Sequence, residues 1–313
     1  MSGSRPIRSD RITAAWNRLW FEPAPVSTVA VLRMIFGLLA IAWSLTLLPD
    51  ATTFFSSEGI VPVRPEEVGK WSVLDLFGSG EAALGLCVIT LLAGLTLTIG
   101  LASRASAIVV LVGMTSFQRT NPFIGNGGDV LLRVMMIYLA LAPAGAALSV
   151  DRWRTHRSDP WGIPMRAPWA LRMVQFQIGL IYVSNVWQKS LGHTWLEGTA
   201  VSYAVRLEDL VRLPLPHATL ASPGWAKAFT WATLGVEGSL AILIWNRKTR
   251  PFVLAAGVML HLGVDYAFKL GFLSWTVIGG YIAFVPPEKM SRAIARVRAR
   301  LEGVRTPTRA LGP

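Results

Sequence analysis

Charge is what this sequence has least of. Asp, Glu, Lys and Arg supply 15% of its 313 residues while 52% are hydrophobic, against about 25% charged residues in soluble domains. That profile points to a membrane protein. Cysteine is nearly absent. Cys87 stands alone inside an apolar run, which excludes an intrachain disulfide, a CxxC redox pair and a thiolate metal cluster. There is no GxGxxG after a strand, no P-loop, no HExxH, no GxSxG and no Cys/His ligand set, so neither a hydrolase nor a common metalloenzyme is expected, and no metal site. His193 and His217 are lone loop residues, and His156 sits in a basic loop. Internal repeats and low-complexity stretches are also missing. Acidic residues are outnumbered, giving a net charge of +12. The Lys and Arg residues lie between oily segments and in the tail rather than along one face with stacking aromatics, so nucleic acid is not an expected partner.

Long apolar runs are what the sequence does have. A bilayer-crossing helix takes roughly 20 apolar residues, because every backbone amide must be bonded within the segment. Eight intervals qualify, at 27–48, 81–102, 105–118, 129–149, 167–188, 225–245, 251–269 and 272–286, the third and eighth being short. The expected fold is all-α, a polytopic transmembrane bundle of about eight spans, with the lipid bilayer as its constant partner. The first run, about 22 residues long, exceeds the apolar part of a cleavable signal peptide and is expected to remain in the membrane. Ahead of it, "RSDRITAAWNRLWFEP" spaces Ile12, Ala15, Trp16, Leu19 and Trp20 helically among arginines, which fits an interfacial helix or an ordinary basic flank. With the N-terminus inside, cytoplasmic connections hold 19 Lys and Arg residues and the opposite side eight. The first outer loop is acidic, with Asp50, Glu58, Glu66, Glu67 and Asp75. Both termini are therefore expected in the cytoplasm, and the basic loops fit a bacterial inner membrane. Three parts follow: a basic segment 1–26, a membrane domain 27–287 and a basic tail 288–313.

Ionisable residues at bilayer depth need a reason. Arg33 and Arg172 lie near the cytoplasmic ends of their spans, where snorkelling suffices. Arg133 follows Asp129 by one turn, the spacing of an i,i+4 pair. At about 100° per residue, Gln175, Tyr182, Asn185 and Lys189 share one face of the fifth span while Trp187 points nearly opposite. The sixth and seventh spans offer partners: Glu237 near the middle of one, His261 and Asp265 four residues apart on the other. Two readings stay open at this stage. Lys189 either snorkels to the outer surface or meets Glu237, His261, Asp265 and Asn185 in an outward-facing polar cavity. In such a cavity, Lys189 acts as a base tuned by the carboxylates of Glu237 and Asp265, with His261 a further catalytic candidate; otherwise the network only locks helices together.

Four stretches taken in order, "LRMIFGLLAIAWSL", "NPFIGNGGDVLLRVMMIYLALAPAGAALSVDRW", "IYVSNVWQKSLGHTWLEGTAVSY" and "HLGVDYAFKLGFLSWTVIGGYIAFVP", resemble the horizontally transferred transmembrane (HTTM) domain family. That family includes the membrane part of vitamin K-dependent gamma-carboxylase and the sporulation-delaying SdpB-type proteins. The resemblance covers about residues 25–287 and implies a helical membrane bundle. In the carboxylase it implies an outward-facing site where a lysine deprotonates reduced vitamin K. By the match of "YVSNVWQKSLGHTWLEG" to the carboxylase's Tyr…Lys…Trp-x-Glu-Gly pattern, Lys189 falls where that base lies, and Tyr182 and Trp195 join Asn185 and Asp265 as candidate ligand-binding residues. The position of the carboxylase's functional histidine is occupied here by Gly128, and the carboxylase's large non-membrane region has no counterpart. Peptidyl-glutamate carboxylation is therefore not expected. Two functions remain in view: a membrane enzyme or redox-linked protein that binds a quinone or similar amphiphile, or a non-catalytic partner in maturing or exporting a secreted product. Solute transport is weaker, for want of a broken-helix repeat.

Overall fold

The computed structural model describes residues 8–60, 71–213 and 222–305; Glu66, Glu67, His217 and the tail beyond residue 305, all invoked above, lie outside the described residues. The fold is all-α. An amphipathic helix α1 (Arg8–Trp20) precedes α2 (Ser27–Leu47) and the short α3 (Ala51–Phe55). Then come α4 (Gly80–Ile99), α5 (Ser103–Thr120), α6 (Gly127–Leu141), α7 (Val150–Thr155) and α8 (Trp169–Ser190). Two turns, α9 (His193–Leu196) and α10 (Ala200–Ala204), lead to α11 (Pro223–Leu243), α12 (Arg250–Ala267), α13 (Leu273–Tyr281) and α14 (Pro287–Arg305). Each of the eight apolar intervals thus overlies a helix. The segments Ser27–Phe55 and Gly80–Ile99 are long and apolar enough to cross a membrane, with mean hydropathies of 2.1 and 2.3, yet only 39% and 33% of their apolar windows are buried in the bundle. A core helix of a soluble protein would be mostly enclosed. Here Leu38, Ile89, Leu180, Val183, Ile242 and Phe252 all face outward, so the bundle is oily on both sides of its helices.

Close helix approach holds the interior together. Gly94 on α4 faces Ile41 of α2, and a Cβ at Gly113 of α5 would collide with the Thr90 hydroxyl of α4. Small residues at such crossings replace the hydrophobic drive that lipid removes. One continuous core runs through Phe36, Trp43, Met114, Leu132, Ile178 and Tyr182. Connections collect at two ends. At one, Val26 N–H donates to Pro164 O (3.1 Å), Ser27 Oγ–H to Pro287 O (2.8 Å) and the Asp151 amide to Gly100 O (3.1 Å). A two-stranded antiparallel tie there pairs β1 (Ala24–Pro25) with β2 (Met165–Arg166). At the other, Asn121 Nδ2–H donates to Phe54 O (3.2 Å) and the Lys269 amide to Leu210 O (2.7 Å).

Three expectations need correction. Arg33 does not snorkel. It is fully buried, and its guanidinium donates to the carbonyls of Leu148 (2.6 Å), Ala144 (3.1 Å), Ala147 (3.3 Å) and Thr98 (3.4 Å). The fourth apolar interval does not stay helical to residue 149, because α6 ends at Leu141 ahead of Pro143, and the chain wraps the guanidinium instead. Leu148 adopts a φ of 50° there, a left-handed conformation that L-residues adopt only when surroundings demand it. Asp129 and Arg133 attract each other across one turn but make no ion pair within 4 Å among the described residues; the Asp129 carboxylate accepts from the Asn126 amide at 3.1 Å and completes the capping box of α6. Arg172 spans from Leu19 O (3.2 Å) to Gln175 Oε1 (3.0 Å), tethering α1 to α8.

Arg33→Leu keeps the stem volume and strips four carbonyls of their donor. A buried acceptor left without a partner costs about 1–3 kcal/mol, so the thermal midpoint of the detergent-solubilised variant is expected to fall by about 5 °C or more. An unchanged midpoint would show that the wrapped loop stands without it.

Candidate functional site

The polar face of α8 divides between two tasks. Its lower end is structural: Gln175 Nε2–H donates to Ala283 O (2.7 Å), fastening α8 to the chain after α13. Its upper part meets three other helices. Lys189 Nζ lies 2.5 Å from Glu237 Oε2 of α11, with side chains 21% and 7% exposed. The amine also sits 4.7 Å from the centroid of the Trp195 ring, a cation–π contact. Lower down, Tyr182 Oη lies 2.8 Å from His261 Nε2 of α12 and makes a short hydrogen bond with Tyr281 Oη of α13. The charges of Glu237 and Lys189 reach this second group: Glu237 acts on both tyrosines and Lys189 on the imidazole.

Local sequence explains how these side chains meet. Gly179 lets Trp245, beyond the end of α11, press against α8; a Cβ there would lie 2.6 Å from the indole Cζ2. This contact holds α11 offset along α8 and brings Glu237 level with Lys189. Gly257 clears space for the Tyr281 hydroxyl, which would otherwise stand 2.5 Å from a Cβ. The Gly192 amide donates to Lys189 O (3.0 Å) in the turn that sets α9 and Trp195 beside the amine. Gly198, just after α9, takes φ 77°, which glycine adopts without strain, and a Cβ there would lie 2.9 Å from Lys227 Cγ of α11. The Val201 amide then donates to Thr230 Oγ1 of α11 (3.2 Å), anchoring α10.

Of the residues singled out from sequence, Lys189, Glu237 and Trp195 come together, as do Tyr182 and His261. Asn185 lies half-buried between Tyr182 and Lys189 on α8 and makes no side-chain hydrogen bond to the described residues. Asp265 does not join the lysine by any ion pair. Both its oxygens face the Arg212 guanidinium at 3.5 Å, because backbone bonds from Arg212 N–H to Ala267 O (2.8 Å) and from Lys269 N–H to Leu210 O (2.7 Å) staple that loop to the end of α12. Sequence reasoning missed Arg212 and Tyr281. The signal for Tyr281 was a phenol inside an apolar span, since a buried hydroxyl seeks a partner. Gly128 abuts α13: a Cβ would collide with the backbone of Leu273. Two cavities of about 290 and 430 Å³ open at the arginine-rich end, around Arg152, His156 and Arg166 and around Ser103, Arg104 and Pro143. Neither is lined by Lys189 or Glu237.

Breaking a buried ion pair leaves one charge uncompensated, whereas replacing both members with apolar residues is often close to neutral. Lys189→Met and Glu237→Leu are each expected to cost about 3 kcal/mol, the low end because Lys189 keeps some exposure. The double variant should be more stable than either single one. Additive losses in a double-mutant cycle would mean that the two charges are not coupled.

Comparison with protein families matches residues 21–288 to the HTTM domain. No curated protein and no solved structure matches the chain. The family match spans nearly the whole sequence, all eight apolar helices and every residue of the Lys189 group, and on that ground the chain belongs to the HTTM domain family of membrane proteins.

Proposed function

We propose that this protein crosses a bacterial inner membrane eight times with both termini in the cytoplasm. On the outer half of the bundle it binds a quinone or similar amphiphile, with Lys189 as the base. The sidedness is supported by where basic residues gather. Arg104, Arg152, Arg154, Arg157, Arg166, Arg247 and Lys248 sit at the end that also carries α1 and α14, as the positive-inside rule requires. The observation that carries the functional reading is the Lys189 amine, enclosed between the Glu237 carboxylate and the Trp195 ring instead of extended into water. A proton passing from Lys189 to Glu237 across that 2.5 Å contact leaves a neutral amine, which then takes the proton of a quinol hydroxyl. The half-buried Asn185 amide supplies a further ligand contact, and the apolar exterior admits a lipid-soluble molecule sideways. Peptidyl-glutamate carboxylation lies outside this reading, because the backbone of Leu273 fills the space a side chain at Gly128 would need.

One observation favours the second reading, a non-catalytic partner in maturing or exporting a secreted product. Lys189 already has its charge matched within the protein, as a purely structural lock would. Mass spectrometry of small molecules that co-purify with the wild type and with folded Lys189→Ala separates the two. A quinone-class ligand reduced at least about tenfold in the variant, a loss of about 1.4 kcal/mol in binding, is the expected result. Equal ligand content in both proteins would remove Lys189 from the site.

Topology is tested separately. Cys87 is fully buried, so single cysteines introduced at Ser158 and Thr194 report alone to a membrane-impermeant thiol reagent. In intact spheroplasts Thr194→Cys should label and Ser158→Cys should not, with the reverse in inside-out vesicles. Labelling of both from one side would overturn the eight-span arrangement.

A further inference from the structure

His261 is 9% exposed, yet its Nδ1 has no hydrogen-bond partner among the described residues. Buried polar atoms are nearly always satisfied, and one that is not calls for an explanation such as a ligand. The rest of the cluster fixes which kind. Tyr281, Tyr182 and a neutral His261 carry three protons: one on each hydroxyl and one on the ring. Tyr182 Oη has two neighbours, the Tyr281 hydroxyl and His261 Nε2, and only one proton to give.

If Nε2–H donates to Tyr182, one phenol proton has no acceptor, that of Tyr281 when Tyr182 donates to it or that of Tyr182 when Tyr281 donates instead, and the Nδ1 lone pair has no donor. In the opposite direction Tyr281 donates to Tyr182, Tyr182 donates to Nε2, and the ring proton resides on Nδ1. That order leaves a single unmet group, an N–H donor.

We infer that His261 Nδ1–H is the donor that holds a carbonyl or oxyanion oxygen of the bound ligand, with Tyr281 and Tyr182 as positioning residues that fix the imidazole tautomer. This rests on the reading of the Lys189 site as one for a quinone-like amphiphile, and it names the end of the molecule that enters deepest. A donor with no acceptor beside it selects an acceptor oxygen and rejects an ammonium group or a bare acyl chain.

The test is nitrogen-15 NMR of the full-length protein, histidine-labelled, in nanodiscs, with the His261 signals assigned by their loss in His261→Gln. In the wild type the proton should be on Nδ1. Tyr281→Phe should leave it there, because Tyr182 still donates to Nε2, whereas Tyr182→Phe should move it to Nε2. Adding a short-chain ubiquinone should shift the wild-type Nδ1 resonance by several ppm and leave the Tyr182→Phe resonance largely unmoved. A wild-type imidazole protonated on Nε2 would overturn the proposal outright. An Nδ1 resonance indifferent to the ubiquinone, while quinone still co-purifies in a Lys189-dependent manner, would remove His261 from the ligand and leave the wider function standing. If that co-purification also fails, the functional reading itself falls.

Discussion

Lys189 and Glu237 stand 2.5 Å apart because neither has another place to put its charge. On the outside of the bundle lie Leu180, Val183, Phe229 and Trp231, and hydrocarbon offers no hydrogen bond to an amine or a carboxylate. The two charges must therefore find each other, and their helices, α8 and α11, must sit so that they can. Arg33 shows the same constraint answered differently. With Asp151 acting on it only from a distance, it draws in four backbone carbonyls, and the chain between Ala142 and Ser149 gives up helical form to supply three of them.

These two solutions differ in what they leave available. The guanidinium of Arg33 is locked into carbonyls of α4 and the loop after α6, so it builds structure and little else. The Lys189 pair can exchange its proton without moving a backbone atom, and a half-buried amide and an aromatic ring lie beside it. Two turns below, the Tyr281–Tyr182–His261 chain ends on a free ring nitrogen. Polar groups that are partly met and held by rigid helices are what the proposed ligand would engage.

Glycine sets the geometry that makes such pairing possible. At Gly179 the indole of Trp245 touches α8, and this fixes the offset of α11 along it. At Gly128 the backbone of Leu273 fills the space a Cβ would need, so that α6 and α13 meet closely there.

The helical segments, their oily exteriors and the clustering of arginine at one end were all present in local sequence, since hydrophobic length and residue charge are properties of a segment by itself. So was the shared face of Tyr182, Asn185 and Lys189, which follows from helical pitch alone. Tertiary structure decided the partners. Spacing placed Asp265 beside His261 equally well, yet a loop some fifty residues earlier brings Arg212 to it, and Tyr281 reaches the cluster from a helix whose sequence shows only an apolar run. Pitch fixes the direction a side chain takes from its own axis. The offset and distance between two axes depend on contacts such as Gly179 with Trp245, which link residues far apart in the chain and leave no periodic trace in it.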